Sequence, residues 1–94
     1  MYKIEFKSSV KKDFKNIDKS NLLFIKDSLK DFTNNFSNDY EISLMQKGIV
    51  KKLKGQKEDI YHLKLRSYKV VYKKENDLLI ILVLSVNTRE NSYK

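Results

Sequence analysis

The sequence predicts an α+β fold in which an N-terminal strand and an antiparallel two-helix hairpin pack on a mostly antiparallel sheet. Three patterns support this prediction. Apolar residues alternate with polar ones over residues 2–6, recur every three to four positions between 10 and 36, and alternate again from 60 onward. The first and third patterns are typical of strands, and the second is typical of amphipathic helices. Helices and strands are therefore largely segregated along the chain, as in α+β folds.

The N-terminal strand is predicted from the segment YKIEF at 2–6, because its apolar side chains all fall on one side. A short amphipathic helix follows. Its apolar positions are Val10, Phe14 and Ile17. Either Ser8 or Ser9 can cap this helix, since a serine hydroxyl at the N-cap accepts a hydrogen bond from a free backbone N–H.

A second, longer helix is predicted after a turn and a new cap at Asp18-Lys19-Ser20. Its apolar residues follow at spacings of three and four: Leu22, Ile25, Leu29, Phe32 and Phe36. The opposite face is charged: Lys26, Asp27, Lys30 and Asp31. This amphipathic pattern is expected to pack against the first helix as an antiparallel hairpin. The Asn, Ser and Asp content of residues 34–39 predicts a loop.

Residues 40–47 fit two structures. The segment YEISLMQK alternates like a strand, whereas Asn38 and Glu41 form a capping box that would begin a helix. Both interpretations stay open at this point. Gly48 and Gly55 enclose the segment IVKKLK, for which a connecting arm is predicted.

Three strands are predicted for the last third of the sequence, joined as a meander. The first two are IYHLKLR at 60–66 and YKVVYK at 68–73, and residues 74–78 form a turn. Residues 78–86 are apolar on both faces, which is typical of a central strand. The end of this strand is followed at once by polar residues.

Composition limits the possible architectures and partners. A chain of 94 residues is expected to form one domain, residues 1–94, because it cannot divide its small core in two. The net charge of +8 favours polyanionic partners. Absence of cysteine fits a reducing compartment, and the N-terminus lacks the apolar block of a signal peptide, so we expect a cytoplasmic protein. The apolar run is too short to cross a membrane, which needs about 20 residues.

No metal or cofactor is expected. The chain has one histidine and no cysteine, and the helical pair Asp27 and Asp31 is flanked by lysines, as on a solvated helix face. Neither a phosphate-binding Gly-rich loop nor a Ser-His-Asp set is present. Any catalysis is therefore expected to be metal-free and to depend on basic residues.

A candidate site lies on the outward side of the predicted strand 60–66. His62, Lys64 and Arg66 alternate there at about 6.6 Å spacing, and Lys69 begins the next strand. Arg89 and Tyr93 follow the central strand. Such a row of cations with an aromatic side chain is suited to hold a phosphodiester and to stack a base. The alternative interpretation is an ordinary half-exposed sheet with polar residues outside.

Residues 50–93 resemble the C-terminal half of the RelE/ParE superfamily toxins of type II toxin–antitoxin systems, and the RelE branch more closely. The matching segments are Leu53-Lys54-Gly55, 61–65, 68–72 and Arg89 with Tyr93. The order of strand, helical hairpin and sheet also agrees, so the resemblance implies the RelE-like microbial RNase fold. The chain departs from the family pattern where Arg66-Ser67 replaces Gly-Asp, Lys69 replaces Arg and His62 replaces Lys.

The resemblance implies a toxin that cleaves mRNA in the ribosomal A site without a metal and blocks translation. A cognate antitoxin would hold it inactive in a hetero-oligomer. Carried over by position, Lys64 corresponds to the general base, Arg89 to the general acid, Tyr93 to the stacking aromatic and Lys69 to the residue that stabilises the phosphate. His62 is a second candidate base. The further positions expected to bind RNA phosphates are Lys51, Lys52, Lys54 and Arg66.

Two alternatives share the same basic surface. ParE-like members of the superfamily have this fold and inhibit DNA gyrase without the catalytic residues. A catalytically inert member would only bind RNA or the antitoxin, with affinity that falls steeply as salt rises. The sequence also leaves open whether Lys64 or His62 is the base, since a lysine at its ordinary pKa of about 10.4 accepts protons poorly unless nearby cations lower that value.

Overall fold

The computed structural model describes residues 2–53 and 60–88. Within these residues the chain forms three α-helices and five strands. In chain order they are β1 (Lys3–Phe6), α1 (Val10–Lys15), α2 (Lys19–Asn34), α3 (Asn38–Gln46), β2 (Val50–Lys52), β3 (Ile60–Leu65), β4 (Tyr68–Glu75) and β5 (Ile80–Thr88). The strands form one sheet in the order β1-β5-β4-β3-β2, in which β1 is parallel to β5 and all other neighbours are antiparallel. The predicted α+β fold is confirmed.

The three helices pack on one face of the sheet. Buried side chains from α1 and α2 join those of the sheet in one hydrophobic cluster, and the strand residues of this cluster alternate along β3 and β4, whereas on β5 Val86 comes three residues after Val83. The buried strand residues are Val50, Tyr61, Leu63, Tyr68, Val70, Tyr72, Ile81, Val83 and Val86. The residues between them therefore lie on the opposite face of the sheet.

The first two helices begin where the sequence predicts. Asp18 is the N-cap of α2 and accepts a hydrogen bond from the backbone N–H of Asn21. Hydrogen bonds from the Ser20 hydroxyl and from Asn21 hold the pKa of Asp18 below its usual range. Ser9 occupies the N-cap position of α1, but its side chain makes no capping hydrogen bond. The predicted cap position is therefore confirmed for Ser9, but the predicted side-chain hydrogen bond is not formed.

The loop predicted for residues 34–39 is shorter in the structure. Helix α2 continues through Asn34, and α3 begins at Asn38, so only residues 35–37 connect them. Phe36 in this connection is buried, where its ring packs edge-on against Phe32 at a centroid distance of 5.3 Å. Burial of this aromatic side chain stabilises a tight connection that Asn and Ser content alone does not reveal.

The ambiguous segment 40–47 is helical. Its N-cap is Ser37, whose hydroxyl accepts a hydrogen bond from the backbone N–H of Tyr40, so the proposed Asn38–Glu41 capping box is wrong. The helix ends at Gln46, and Gly48, two residues further on, has a φ of 75°. Its N–H bonds to the carbonyl of Met45, and the next N–H, from Ile49, bonds to that of Leu44. This pair of bonds is a Schellman motif, which favours glycine at the left-handed position.

A buried charged group anchors α3 to the sheet. Glu41 is 4% exposed and accepts hydrogen bonds from the Tyr72 hydroxyl at 2.6 Å and from Lys74 Nζ at 2.8 Å. The Lys74 ammonium also lies 4.6 Å from the centre of the Tyr61 ring. Burial, then the hydrogen bond and charge of Glu41, raise the pKa of Tyr72. Burial tends to lower the pKa of Lys74, but its hydrogen bond and charge interaction with Glu41 raise it overall.

The connecting arm predicted after Gly48 is an edge strand. Residues Val50–Lys52 form β2, which is antiparallel to β3. The backbone N–H of Lys64 bonds to the carbonyl of Ile49, and that of Leu53 bonds to the carbonyl of Ile60. Three residues are too few for alternation to predict a strand, so its pairing with β3 decides the structure.

The central position of β5 is confirmed, but its bounds differ from the apolar run. Leu78 ends a 3₁₀ turn (Asn76–Leu78), and Leu79 adopts a left-handed conformation with a φ of 54°. The strand begins only at Ile80. Its pairing with β4 shifts register between Val71 and Tyr72, which marks a β-bulge on β5.

Candidate basic site on the sheet

Basic residues gather on the sheet face opposite the helices. Two rows run across the strands in direct register. The first row is Lys64 on β3, Lys69 on β4 and Asn87 on β5. The second row is Lys51 on β2, His62 on β3, Val71 on β4 and Ser85 on β5. We call the surface formed by Lys51, His62, Lys64 and Lys69 the basic face.

The centre of the basic face places like charges opposite each other. Lys64 and Lys69 are direct cross-strand partners, with Cβ atoms about 5 Å apart by sheet geometry. Like charges in such a pair destabilise a sheet, whereas an anion bound between them would remove the repulsion. The pair is therefore a candidate phosphate-binding element.

His62 lies among the three lysines of the basic face. Burial lowers the pKa of His62 from its ordinary value of 6.5, and the positive charges of Lys69, Lys51 and Lys64 lower it further. The imidazole is therefore largely uncharged near neutral pH. Its Nδ1 atom is buried and has no hydrogen-bond partner among the described residues. An uncharged imidazole beside several cations can accept a proton from a bound substrate.

Arg66 does not extend this row, so its predicted place on the outward face is wrong. It follows the end of β3 with a φ of 55°, in the two-residue turn to β4. This left-handed conformation turns the side chain toward α2, where the guanidinium lies 3.7 Å from the centre of the Phe24 ring. It also donates a hydrogen bond to Asn21 Oδ1 at 3.4 Å. Arg66 thus fastens the β3–β4 turn to the helix.

The remaining predicted site residues have different positions. Lys52 is the cross-strand partner of Tyr61, which places it on the helix side of the sheet, with its Nζ 6.0 Å from the Tyr61 ring centre. Lys51 is on the basic face, opposite His62. Lys54, Arg89 and Tyr93 lie outside the described residues, so their predicted roles stay predictions.

Two polar residues of β5 on the same face were missed by the sequence interpretation. Ser85 lies opposite Val71, and Asn87 lies opposite Lys69. If the apolar run alternated strictly, Val86 would lie on the same face of the sheet as Leu82 and Leu84. Instead, Val86 is buried in the core. The alternation of Ser85, Val86 and Asn87 at the end of the run was the available signal for this change of phase.

The described residues show neither a metal-binding cluster nor a helix that could span a membrane. In residues 2–53 and 60–88, no three His, Cys, Asp or Glu side chains cluster so as to hold a metal ion. None of the described helices is long and apolar enough to cross a membrane.

Comparison with known proteins gives matches at the level of structure. No protein-family model and no curated protein sequence matches the chain. A chain of the intact E. coli RelBE toxin–antitoxin complex superposes with a TM-score of 0.68 and 22% identity, over 94% of this chain and 96% of that chain. A chain of the RelB–RelE complex from Methanococcus jannaschii gives 0.68 and 23%, over 95% and 94%.

The isolated E. coli RelE toxin gives a TM-score of 0.67 at 19% identity, over 99% of this chain and 94% of that chain. These structures match nearly the whole length of both chains, including the helical layer and the five-stranded sheet. The chain therefore has the fold of the RelE toxins.

Proposed function

We propose that this protein is the toxin of a type II toxin–antitoxin pair and acts as a ribosome-dependent, metal-independent mRNA endoribonuclease. One observation carries this proposal. The sheet of a RelE-type fold presents the directly opposed pair Lys64 and Lys69, and an uncharged His62 lies beside them. Cations supply the charge stabilisation that phosphodiester cleavage needs, and a neutral imidazole supplies a base.

The reaction would begin with attack of a ribose 2′-OH on the adjacent phosphorus. The base takes the 2′-OH proton as the new O–P bond forms, and the bond to the 5′-oxygen of the next nucleotide breaks. That oxygen receives a proton from a general acid. The products are a 2′,3′-cyclic phosphate and a free 5′-OH. Lys64 and Lys69 would stabilise the additional negative charge that develops on the phosphate oxygens.

His62 is the better candidate for the base. Its pKa lies below 6.5 because of burial and the surrounding lysines, so the neutral form that can accept a proton predominates at neutral pH. Because Nδ1 is buried, the substrate would meet Nε2. Lys64 then serves with Lys69 to bind and polarise the phosphate, rather than to accept the proton.

Arg89 and Tyr93, which follow β5 in the sequence, are assigned to the proposed site from the resemblance to the RelE branch. Arg89 would protonate the leaving oxygen or bind the phosphate in the transition state, for which its planar guanidinium is suited. Tyr93 would stack on a neighbouring base, a contact worth about 1–3 kcal/mol. Both assignments rest on the sequence pattern that ends in Arg89 and Tyr93.

The proposed partners follow from the same surface. The mRNA and the ribosomal RNA of the A site would supply the phosphates that the basic face binds, since lysine side chains neutralise the negative charges of nucleic-acid phosphates. A cognate antitoxin would cover this face with acidic residues on an amphipathic helix. Solved structures with the same fold include toxin–antitoxin complexes from E. coli and Methanococcus jannaschii.

Primer extension on mRNA bound to purified ribosomes tests the activity. The intact protein should cut within A-site codons. The variants Lys64→Ala and Arg89→Ala should lose the cuts by roughly a hundredfold or more, because removal of one group that stabilises transition-state charge typically has this effect. Lys30→Ala, which removes an exposed lysine of α2, is the matched control and should cut normally.

The outcomes separate this proposal from its alternatives. Circular dichroism of each variant must first show an unchanged fold. Absence of cuts by the intact protein would contradict the nuclease proposal, and inhibition of DNA gyrase in a supercoiling assay would then favour the ParE-like role. Cuts that persist in both the Lys64 and Arg89 variants would place the chemistry elsewhere on the molecule.

A further inference from the structure

The β-bulge on β5 brings an amide side chain onto the basic face. Across the register shift at Val71 and Tyr72, β5 contains one residue more than β4, because Ser85 and Val83 pair with consecutive residues. This extra residue changes the phase of β5, so that Val86 enters the core and Asn87 lies on the opposite face. Bulges of this kind often redirect side chains next to active sites.

Asn87 lies at the end of the row that contains the two candidate phosphate-binding lysines. It is the direct cross-strand partner of Lys69, which is in turn the partner of Lys64. Since adjacent strands are about 4.8 Å apart, the row spans about 10 Å from Lys64 to Asn87. Asn87 is exposed, and no hydrogen bond joins its side chain to another described residue. Its amide is therefore available to a ligand.

The neighbouring row has short side chains at the same place. Val71 of β4 and Ser85 of β5 are cross-strand partners. Val71 follows Lys69 by two residues, and Ser85 precedes Asn87 by two residues. Val71 lies between His62 and Ser85 in this row, and Ser85 is next to Asn87 on the same face of β5. A flat base could lie over Val71 and Ser85 while its phosphate contacts the lysines, and its edge would then face the Asn87 amide.

We propose that Asn87 contacts the base of a nucleotide next to the scissile phosphate and makes the enzyme prefer adenine at that position. This inference rests on the proposed nuclease function. A carboxamide can donate one hydrogen bond and accept another in one plane. This pattern matches the N6 and N7 groups of adenine, which asparagine recognises with two hydrogen bonds. The lysines of the basic face bind phosphate in any sequence and cannot supply such a preference.

The test uses a set of mRNAs that differ only at the nucleotides flanking the cut in one A-site codon. Cleavage rates on ribosomes would be compared for adenine, guanine, cytosine and uracil at each of the two positions. The intact protein should cut at least about fivefold faster with adenine at one of them. Asn87→Ala should equalise the rates within about twofold, as should Asn87→Ser, which keeps a small polar side chain.

The matched control is Asn34→Ala, which removes an exposed asparagine from the last residue of α2. It should leave both the rates and the base preference unchanged. An intact protein that cuts without preference for adenine, or an Asn87→Ala variant that keeps the preference, would overturn the assignment of Asn87 and leave the nuclease function standing. An intact protein that cuts no mRNA would overturn both.

Discussion

Arg66 shows how the backbone conformation of one residue moves a charged side chain from one face of a sheet to the other. Alternation along 60–66 predicts that Arg66 follows His62 and Lys64 on the outward side. The left-handed φ of 55° ends that alternation, and the guanidinium packs on Phe24 instead. A cation–π contact of this type at an exposed site contributes about 0.5–1 kcal/mol. Arg66 therefore lies at the turn beside α2 and outside the rows of the basic face, and its predicted phosphate contact stays a prediction.

His62 gives a prediction about pH. If it is the general base, cleavage requires the neutral imidazole, so kcat/KM should fall as the pH drops, with a midpoint below 6.5. The reason is that burial and the charges of Lys69, Lys51 and Lys64 lower the pKa of His62 below 6.5. Cleavage rates on ribosomes between about pH 5 and pH 8 would measure this midpoint.

The variant His62→Gln is the control for that profile, because it keeps a polar side chain but cannot accept a proton. Its residual activity should show no acidic limb with this midpoint, while Lys30→Ala should reproduce the normal profile. A midpoint clearly above 6.5, or an unchanged acidic limb in His62→Gln, would contradict the role of His62. The same lowered pKa means that the unfolded chain binds a proton more readily below pH 6.5, so His62 lowers folding stability as the pH falls through that range.

At the scale of elements, α3 determines where one edge of the basic face lies. The Schellman motif at Gly48 ends the helix and leads directly into β2, which places Lys51 opposite His62. The position of α3 depends in turn on Glu41, whose carboxylate binds groups of β4. A helix that the sequence left ambiguous therefore connects the buried network to the candidate site.

The Glu41 network predicts a graded loss of stability. Glu41→Leu should lower the free energy of unfolding by about 3–5 kcal/mol, because it leaves the buried Lys74 ammonium without its partner. Tyr72→Phe should cost less, about 1.5–3 kcal/mol, since it removes one hydrogen bond to a charged group. Urea denaturation followed by circular dichroism would measure both values.

A double variant separates the charge effect from the loss of packing. In Glu41→Leu with Lys74→Met, no buried charge remains, so part of the stability lost in Glu41→Leu should return. If Glu41→Leu alone is destabilised by less than about 1 kcal/mol, the network does not anchor α3. If the double variant is no more stable than Glu41→Leu, the unpaired ammonium is not the cause of the loss.

At the scale of the whole molecule, the two faces of the sheet differ in composition. One face carries the helices and the hydrophobic core, and the other carries the basic face. The net charge of +8 is spread over both, with lysines also on α1 and α2. Bulk charge therefore attracts polyanions without choosing a binding face, whereas the aligned rows on β2, β3, β4 and β5 give one surface of defined geometry.

That surface predicts how the proposed antitoxin binds. When the protein is expressed from its native operon, it should co-purify with an acidic partner encoded beside it. The charge reversal Lys69→Glu should lower the affinity of this complex at least about tenfold, because the new carboxylate would repel the acidic residues of the partner. Lys30→Glu on α2 makes the same reversal away from the basic face and should have little effect.

Binding measured by calorimetry would decide between the two surfaces. If the toxin purifies without a bound partner after expression from its native operon, the antitoxin proposal would be contradicted. Equal weakening by both reversals would mean that overall charge, rather than the basic face, controls the interaction.

Most of the fold was predictable, because it depends on local periodicity. The helical spacing of Val10 and Phe14, and of Ile25 and Leu29, identified α1 and α2, and strand alternation identified β3 and β4. The strand Val50–Lys52 was missed, and 40–47 stayed open between strand and helix, because contacts distant in sequence decide both segments. Pairing with β3 makes a strand of Val50–Lys52, and burial of Glu41 against Tyr72 accompanies a helix at 38–46.

The sequence by itself determined the order of β1, α1, α2, β3, β4 and β5, the inward positions of β3 and β4, and the basic residues His62, Lys64 and Lys69 as near neighbours, because each of these follows from residue types at fixed spacing. Only the tertiary structure decided which cations meet. The αL turn moved Arg66 away, the pairing of β2 brought Lys51 in, and the bulge exposed Asn87 beside Lys69. Register and bulges depend on pairing between strands distant in sequence, and no local pattern specifies that pairing.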